Sequence, residues 1–253
     1  MTGCSSPLRA FAALGAGLTT MKIPRVPHRW SLSPRAAVAV QRRLAARVVQ
    51  APPARELRFV AGLDAAFPPD GQQCLAAAVL LDLASLDVIE QTLAARPLRF
   101  PYVPGLLSFR EAPALLAALR KLRHRPDVLM CDGQGLAHPR RFGIACHLGV
   151  VCDLPAIGCA KSRLVGDSAM PGVDKGNREP LTIGEECVGA VLRTRERTKP
   201  LFVSVGHRMD LDSACALVLA ACDNHRLPEP TRLADRLVSQ ARLRWASPQG
   251  RTS

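Results

Sequence analysis

Aromatic residues are scarce in this 253-residue sequence, which has seven phenylalanines, two tryptophans and a single tyrosine. No uninterrupted apolar run reaches the length of a membrane-spanning helix, so we expect no membrane association. The nine cysteines form no Cys-x-x-Cys pair, and several lie inside apolar runs. This usage predicts free, buried thiols in a reducing cytoplasm, with neither a disulfide framework nor a zinc site.

Acidic residues are also in deficit, with 21 Asp and Glu against 34 Lys and Arg, which gives a net charge of +13. Such an excess favours an anionic partner, first of all nucleic acid, although an arginine-rich proteome would produce the same balance. The length allows one sizeable core or two small ones. We predict a disordered tail at 1–30, a single domain at 31–245, a polar tail at 246–253 and a monomeric protein.

Short apolar runs separated by turn residues predict three strands joined as an antiparallel meander. A proline-rich arm at 96–108 follows, and then a helix in which Ser108 and Glu111 have the spacing of a capping box. The helix leads to a buried strand at 128–131, which we expect to run parallel to the first. The three runs of the meander are 57–67, 74–83 and 88–94.

The second half of the chain continues this α/β pattern. A small-residue helix is predicted at 142–149, a strand at 154–160 and a loop-rich excursion at 163–186. Two further strands follow, and Asp210 or Asp212 caps the next helix. A final amphipathic helix is expected at 230–244. The order of elements is that of a ribonuclease H-like mixed sheet, with three antiparallel strands followed by parallel strands, flanked by helices.

Three acidic residues converge in such a sheet. Asp64 lies alone in an apolar strand, where a carboxylate needs a partner. Asp132 ends the neighbouring strand, and the helix between them brings Glu111. Three carboxylates at one point repel unless a cation lies between them, and oxygen ligands suit Mg²⁺ or Mn²⁺. The structural alternatives are a helix cap for Asp132 and the capping box for Glu111.

Other polar residues stand at the ends of the predicted strands. Lys161 could stabilise charge on a transferring phosphate or orient water, or be an ordinary surface lysine. His138 and His207 follow glycine-containing turns and could bind phosphate or transfer a proton; structural hydrogen bonding is an equal alternative. We interpret His147, inside a helix-like segment, as a packing residue.

The arm at 100–105 contains the only tyrosine of the chain, Tyr102, between prolines. A rigid apolar hairpin with an aromatic tip can enter a duplex and unstack a base. The alternative is a proline-rich crossover whose tyrosine packs on the sheet.

Several segments together resemble the endonuclease V family of deoxyinosine 3′-endonucleases. The most specific are Pro-Tyr-Val-Pro-Gly-Leu-Leu-Ser-Phe-Arg-Glu at 101–111 and Asp-Gly-Gln-Gly-Leu-Ala-His-Pro-Arg at 132–140. Shorter matches occur in the same order along the chain. They are Ala-Gly-Leu-Asp at 61–64, Gly-Ile-Ala-Cys-His-Leu-Gly at 143–149, Leu-Pro-Ala-Ile-Gly-Cys-Ala-Lys-Ser at 154–162 and Val-Ser-Val-Gly-His-Arg at 203–208.

The resemblance implies a role for each matching residue. The implied Mg²⁺ ligands are Asp64, Glu111 and Asp132, with Lys161 and His207 as further catalytic residues and Mn²⁺ as a substitute ion. The implied strand-separating wedge is Pro101, Tyr102, Val103 and Pro104, and the implied lesion pocket is Gly105, Gly133 and Gly135. His138 and Arg140 are candidate phosphate contacts.

The implied reaction is cleavage of the second phosphodiester bond 3′ to deoxyinosine in DNA, leaving 3′-hydroxyl and 5′-phosphate ends. Three alternatives stay open at this point. The substrate could be inosine in RNA, since only the 2′-hydroxyl separates the two. The chain could be another ribonuclease H-like nuclease, such as a junction resolvase, or a nucleic-acid-binding protein with an inactive site.

Overall fold

A computed structural model describes residues 21–246, which form one mixed sheet of eight strands flanked by five helices. The strands are β1 (Phe59–Ala66), β2 (Gln73–Asp82), β3 (Val88–Pro97), β4 (Val128–Cys131), β5 (Ala156–Ala160), β6 (Arg178–Ile183), β7 (Glu186–Leu192) and β8 (Leu201–His207). The helices are α1 (Pro34–Ala45), α2 (Leu107–Leu119), α3 (Ile144–Cys152), α4 (Leu211–Ala220) and α5 (Glu229–Ala246). None of the helices in 21–246 has both the length and the apolar character needed to cross a bilayer.

The strand order is β3-β2-β1-β4-β5-β8-β7-β6. As predicted, β1, β2 and β3 form an antiparallel meander, and β4 lies beside β1 and parallel to it. The register pairs Leu63 with Cys131. The residues that follow this pair, Asp64 and Asp132, therefore emerge side by side at one edge of the sheet.

The central strands of the sheet are buried on both faces, which explains why β4 is a continuous apolar run. The neighbouring residues Leu129 and Met130 belong to different apolar clusters because successive side chains point to opposite faces. The eight cysteines among the described residues are free, and seven of them are buried. This agrees with the prediction that they behave as small apolar side chains.

Two sequence-based predictions about secondary structure are wrong. Part of the predicted loop at 163–186 forms β6, the outermost strand of the sheet. Its polar composition and Pro180 are not typical of a strand, which is why the sequence did not predict it. Proline is tolerated there because one side of an edge strand has no hydrogen-bonding partner. Ser108 does not cap α2, since the helix already begins at Leu107 after Leu106. The hydroxyl of Ser108 instead hydrogen-bonds Nδ1 of His147 at 2.9 Å.

The N-terminal segment requires a correction as well. Residues 1–20, and the end of the predicted polar tail after 246, lie outside the described residues. Residues 21–30 were predicted to be disordered, but Met21 is buried and Trp30 packs against both apolar clusters. The next residues start α1 as predicted, with the Ser33 hydroxyl accepting a hydrogen bond from the Ala36 backbone N–H.

Candidate active site

Three carboxylates meet at the edge of the sheet where β1 and β4 end. Oxygens of Asp64, Asp132 and Asp235 all lie within 4.8 Å of one another. Asp64 is further oriented by the backbone N–H of Ala65, which donates to its Oδ1 at 2.8 Å. Among residues 21–246, this is the one cluster of acidic, histidine or cysteine ligands with the spacing of a metal site.

Asp235 is the member of this cluster that sequence reasoning missed. It comes from α5, which packs across β1 and β2. Gly62 makes that approach possible, because a Cβ at this position would lie 2.0 Å from the carbonyl oxygen of Pro230. In the sequence Asp235 is one charge in a helix rich in charges, so no local pattern distinguishes it from its neighbours.

Glu111 lies close enough to the cluster for its charge to matter. Burial, together with the negative charges of Asp64 and Asp132, raises its pKa to about 8. Burial and the charge of Asp132 likewise raise the pKa of Asp64 to about 7. Glu111 is not, however, one of the three carboxylates that share the 4.8 Å spacing in the described part of the chain. The structure therefore places Glu111 beside the acidic cluster, and Asp235 takes the place in the cluster that was predicted for Glu111.

Lys161 neutralises part of this negative charge. Its Nζ lies 2.6 Å from Oδ2 of Asp132 and 2.9 Å from Oδ2 of Asp235. Burial disfavours the charged ammonium, but the hydrogen bonds and charges of these two carboxylates outweigh it and raise the pKa of Lys161. Lys161 therefore bridges two carboxylates of the cluster, which argues against the alternative of an ordinary surface lysine.

His207 does not belong to this group of residues, so its sequence-based placement is corrected. β8 runs antiparallel to β5, which pairs His207 with Ala156 at the start of β5, whereas Lys161 follows its other end. At the opposite edge of the sheet, Nδ1 of His207 accepts a hydrogen bond from the Val49 backbone N–H. The resemblance implied a catalytic role for His207, and hydrophobic periodicity does not reveal the strand direction that places this residue away from Asp132.

A cavity of about 390 Å³ opens beside the acidic residues. Asp132 and Lys161 contribute to its wall, and so do Gly105 and Gly133 of the predicted lesion pocket. Tyr102 stands at this cavity with 72% of its surface exposed. The tyrosine therefore does not pack on the sheet, which was the structural alternative for the arm.

Gly135, the third predicted pocket glycine, is not among the residues that line this cavity. A Cβ at Gly135 would lie 2.0 Å from the carbonyl oxygen of Val205. Its backbone N–H donates to the hydroxyl of Ser204 at 2.8 Å. Glycine is required here because the loop after β4 packs tightly on β8.

The two candidate phosphate contacts are both engaged within the protein. Nδ1 of His138 accepts from the Arg140 backbone N–H, and its Nε2 lies 3.0 Å from the Gly105 carbonyl oxygen. Burial and the neighbouring Arg140 lower the pKa of His138 to about 4, so the ring is neutral at pH 7. Arg140 also donates to Gly105. A neutral, buried His138 with both nitrogens hydrogen-bonded within the protein has no free donor to offer a phosphate in this conformation.

A family model described as Endonuclease V matches residues 42–236. The chain belongs to the endonuclease V family. An endonuclease V from Roseiflexus castenholzii is 51% identical over 221 residues, covering 87% of this chain and 98% of the relative. The crystal structure of endonuclease V from Streptomyces avermitilis superposes with a TM-score of 0.83 at 45% identity, covering 90% of this chain and 100% of that one.

A second solved endonuclease V comes from Ciona intestinalis, in complex with a 24-mer DNA containing an inosine followed by a ribo-adenosine. It is 25% identical and superposes with a TM-score of 0.71, covering 80% of this chain and 95% of that one. Membership of the endonuclease V family makes the chain an endonuclease, and the ribonuclease H-like mixed sheet predicted from the sequence agrees with the fold of these structures. The matched range spans Asp64, Glu111, Asp132, Lys161 and Asp235.

Without a divalent cation, this endonuclease V family member is expected to lose stability as the pH rises. The folded-state pKa values of about 7 for Asp64 and about 8 for Glu111 exceed their ordinary values of 3.8 and 4.5. The stabilisation they contribute is therefore fully present below about pH 4 and is lost as the pH rises through about 7 to 8. Melting temperatures in EDTA across this range measure the effect.

The matched control for this prediction is Asp64→Asn, which removes one of the two titrating groups. The melting temperature of the unmodified protein should fall relative to that of the variant between about pH 5 and pH 8. A divalent cation that binds the cluster should restore the melting temperature at the upper pH, because a ligand that binds only the folded state stabilises that state. A difference that stayed constant with pH would contradict the assigned pKa values.

Proposed function

We propose that this endonuclease V family member acts as a monomer, uses Mg²⁺ or Mn²⁺, and cuts DNA at deoxyinosine. The cut falls at the second phosphodiester bond 3′ to the lesion and leaves 3′-hydroxyl and 5′-phosphate ends. One observation carries the proposal: the acidic cluster lies directly beside a cavity at which an exposed tyrosine stands. An endonuclease that recognises an extruded base needs these two parts next to each other.

The acidic cluster fits a divalent cation by its chemistry. Asp64, Asp132 and Asp235 offer only carboxylate oxygens, the ligands that Mg²⁺ and Mn²⁺ prefer. With Glu111 nearby, four carboxylates face two cations, Lys161 and Arg110, so the ionised site has a negative charge left to balance. A bound divalent cation would polarise the scissile phosphate and make bound water a better nucleophile.

The residues of the chain account for the rest of the chemistry. Asp132 and Asp235 hold the ammonium of Lys161 at the wall of the cavity, where positive charge stabilises a negatively charged phosphoryl group. Asp64 stays fixed by the Ala65 N–H. Burial and nearby negative charge raise the pKa of Glu111, so it can retain a proton near neutral pH in the absence of a cation.

The wedge consists of Pro101, Tyr102, Val103 and Pro104. Its exposed tyrosine can stack on a base or fill the gap that an extruded nucleotide leaves, while the prolines limit bending of the arm. This supports an enzyme that opens a duplex at the lesion, and it disfavours a junction resolvase, which has no need of a wedge.

Tyr102→Ala is expected to weaken binding of deoxyinosine DNA by about tenfold, since base–aromatic stacking contributes about 1–3 kcal/mol. The affinity for Mn²⁺ should be unchanged, because the tyrosine is not part of the acidic cluster. Fluorescence anisotropy measures the DNA affinity, and calorimetry measures the metal affinity. Tyr102→Phe, which keeps the ring, is the control and should bind DNA nearly as well as the unmodified protein.

Inosine in RNA is a second candidate substrate, and one observation favours it. The DNA bound to the Ciona intestinalis relative has a ribo-adenosine directly after its inosine. The 2′-hydroxyl is the group that distinguishes RNA from DNA, and this ligand has one next to the inosine. Whether this chain prefers DNA or RNA is tested with matched strands of both.

The test of the proposed function uses matched DNA and RNA strands of one sequence, each with a single inosine, incubated with Mg²⁺. Product length on a sequencing gel gives the bond that is cut, and end-labelling gives the end groups. We expect deoxyinosine DNA to be cut at the second phosphodiester bond 3′ to the lesion. Cutting of RNA alone would support the second candidate, and no cutting of either strand with Mg²⁺ or Mn²⁺ would contradict both.

A further inference from the structure

Three side chains converge on the carbonyl oxygen of Gly105, the residue that follows the wedge. Nε2 of Gln41 lies 3.0 Å from this oxygen, Nε2 of His138 lies 3.0 Å away, and Nη2 of Arg140 lies 2.6 Å away. A carbonyl oxygen commonly accepts one or two hydrogen bonds. Three donors from two separate segments therefore mark Gly105 as an unusually firmly held point of the backbone.

We call this group of four residues the Gly105 anchor: Gln41, Gly105, His138 and Arg140. Gln41 is at its centre, on α1, and only 1% of its surface is exposed. Its amide nitrogen also donates to the Phe142 carbonyl oxygen at 3.2 Å, and its amide oxygen accepts from Nε of Arg140 at 2.5 Å. Both ends of the amide are therefore satisfied, and the same side chain orients Arg140 toward Gly105.

The protonation state of His138 follows from its contacts. Its Nδ1 accepts from the Arg140 backbone N–H, so the ring proton of the neutral imidazole is on Nε2 and points at the Gly105 oxygen. All three partners of Gly105 are then donors. The anchor is consistent with the backbone as well, because Gly105 has a φ of +75° and a Cβ there would lie 2.6 Å from Nη2 of Arg140.

The wedge is held at its other end too. Phe100 is buried, and its carbonyl oxygen accepts a hydrogen bond from Nη1 of Arg110 at 3.0 Å. Between these two fixed points Tyr102 is 72% exposed. An arm with fixed ends and a free tip can press on a duplex, whereas an arm with a loose end would bend away from it.

We propose that Gln41 is a positioning residue that fixes the wedge through the Gly105 anchor, so that strand opening moves the DNA and not the arm. The inference depends on the proposed function, and it adds the element that makes the wedge effective. Its consequence is selective: Gln41 matters where a duplex must be opened and matters little where the inosine is already in a single strand.

The test compares Gln41→Met with the unmodified protein on duplex and single-stranded DNA, each with one deoxyinosine. Methionine keeps the size of the side chain but removes its three hydrogen bonds. We expect kcat/KM on the duplex to fall about tenfold more than kcat/KM on the single strand, the scale of the one hydrogen bond that Gln41 donates directly to Gly105. Gln91→Met, at an exposed position of β3, is the matched control and should leave both values unchanged.

A second variant keeps the inference testable if Gln41→Met folds poorly. Arg140→Gln removes a donor to Gly105 from a partly exposed position and should also lower cleavage of the duplex selectively. If Arg140 acted instead as a phosphate contact, the variant would lower both activities alike and reduce the salt dependence of binding.

Fluorescence of 2-aminopurine beside the deoxyinosine, measured in EDTA, gives an independent readout of unstacking and should increase less with Gln41→Met than with the unmodified protein. Equal losses on duplex and single strand for both variants would overturn the role of Gln41. Failure of the unmodified protein to cut either DNA would instead overturn the proposed function.

Discussion

Replacing Asp132 by asparagine is expected to slow strand cleavage by about a thousandfold, the scale expected when a group that stabilises transition-state charge is lost. The amide keeps the shape of the side chain but carries no charge, so the variant would bind a cation weakly and leave Lys161 with one carboxylate partner instead of two. Single-turnover cleavage of deoxyinosine DNA at saturating protein measures the chemical step.

β4 itself provides the control for this variant. Asp127 lies just before the strand, at the edge opposite Asp132, where it pairs with Arg55 at 2.7 Å and accepts from the Phe59 N–H. Asp127→Asn should lower the melting temperature, because the largely buried carboxylate accepts the backbone N–H groups of Arg58 and Phe59 as well as pairing with Arg55. It should leave the cleavage rate within about twofold, because it lies at the other end of β4 from the acidic cluster. If Asp132→Asn cleaved DNA at the full rate, the carboxylate cluster could not be the catalytic site.

Asp235→Asn is expected to lower the cleavage rate about a hundredfold and to raise the Mn²⁺ concentration needed for half-maximal activity. The reason is that Asp235 supplies the third carboxylate within 4.8 Å and shares Lys161 with Asp132. Cleavage rates over a series of Mn²⁺ concentrations separate a loss of metal affinity from a loss of turnover.

The control for Asp235 is Asp212→Asn, in the first turn of α4, where the carboxylate pairs with Arg178 away from the cluster. Its cleavage rate should match that of the unmodified protein. If Asp235→Asn kept its Mn²⁺ requirement and its rate while Glu111→Gln lost both, the metal site would consist of Asp64, Glu111 and Asp132, as the sequence resemblance implies.

Local sequence patterns predicted the central strands of the sheet and two carboxylates of the acidic cluster, Asp64 and Asp132. A lone Asp64 in an apolar strand and Asp132 at the end of a buried strand were both conspicuous, and the antiparallel meander followed from short turns. The register of β1 and β4 then brought the two acids together. β2 and β3 follow β1 directly in the chain, and the crossover through α2 returns β4 to the other side of β1 in the parallel direction, so the order of elements was enough to predict this part of the fold.

Residues placed by long-range packing were not predictable in the same way. Asp235 reaches the site because α5, near the end of the chain, crosses β1 over Gly62. His207 was misplaced because strand direction decides which edge it occupies. The Gly105 anchor likewise depends on α1 meeting the loop after β4, and nothing near Gln41 in the sequence indicates that contact.

Anomalous scattering from crystals of the protein grown with Mn²⁺ locates the bound ion directly. We expect a peak at coordinating distance, about 2.0–2.2 Å, from carboxylate oxygens of Asp64, Asp132 and Asp235. A protein that cleaves deoxyinosine DNA with Mn²⁺ but binds the ion away from these three side chains would contradict this expectation.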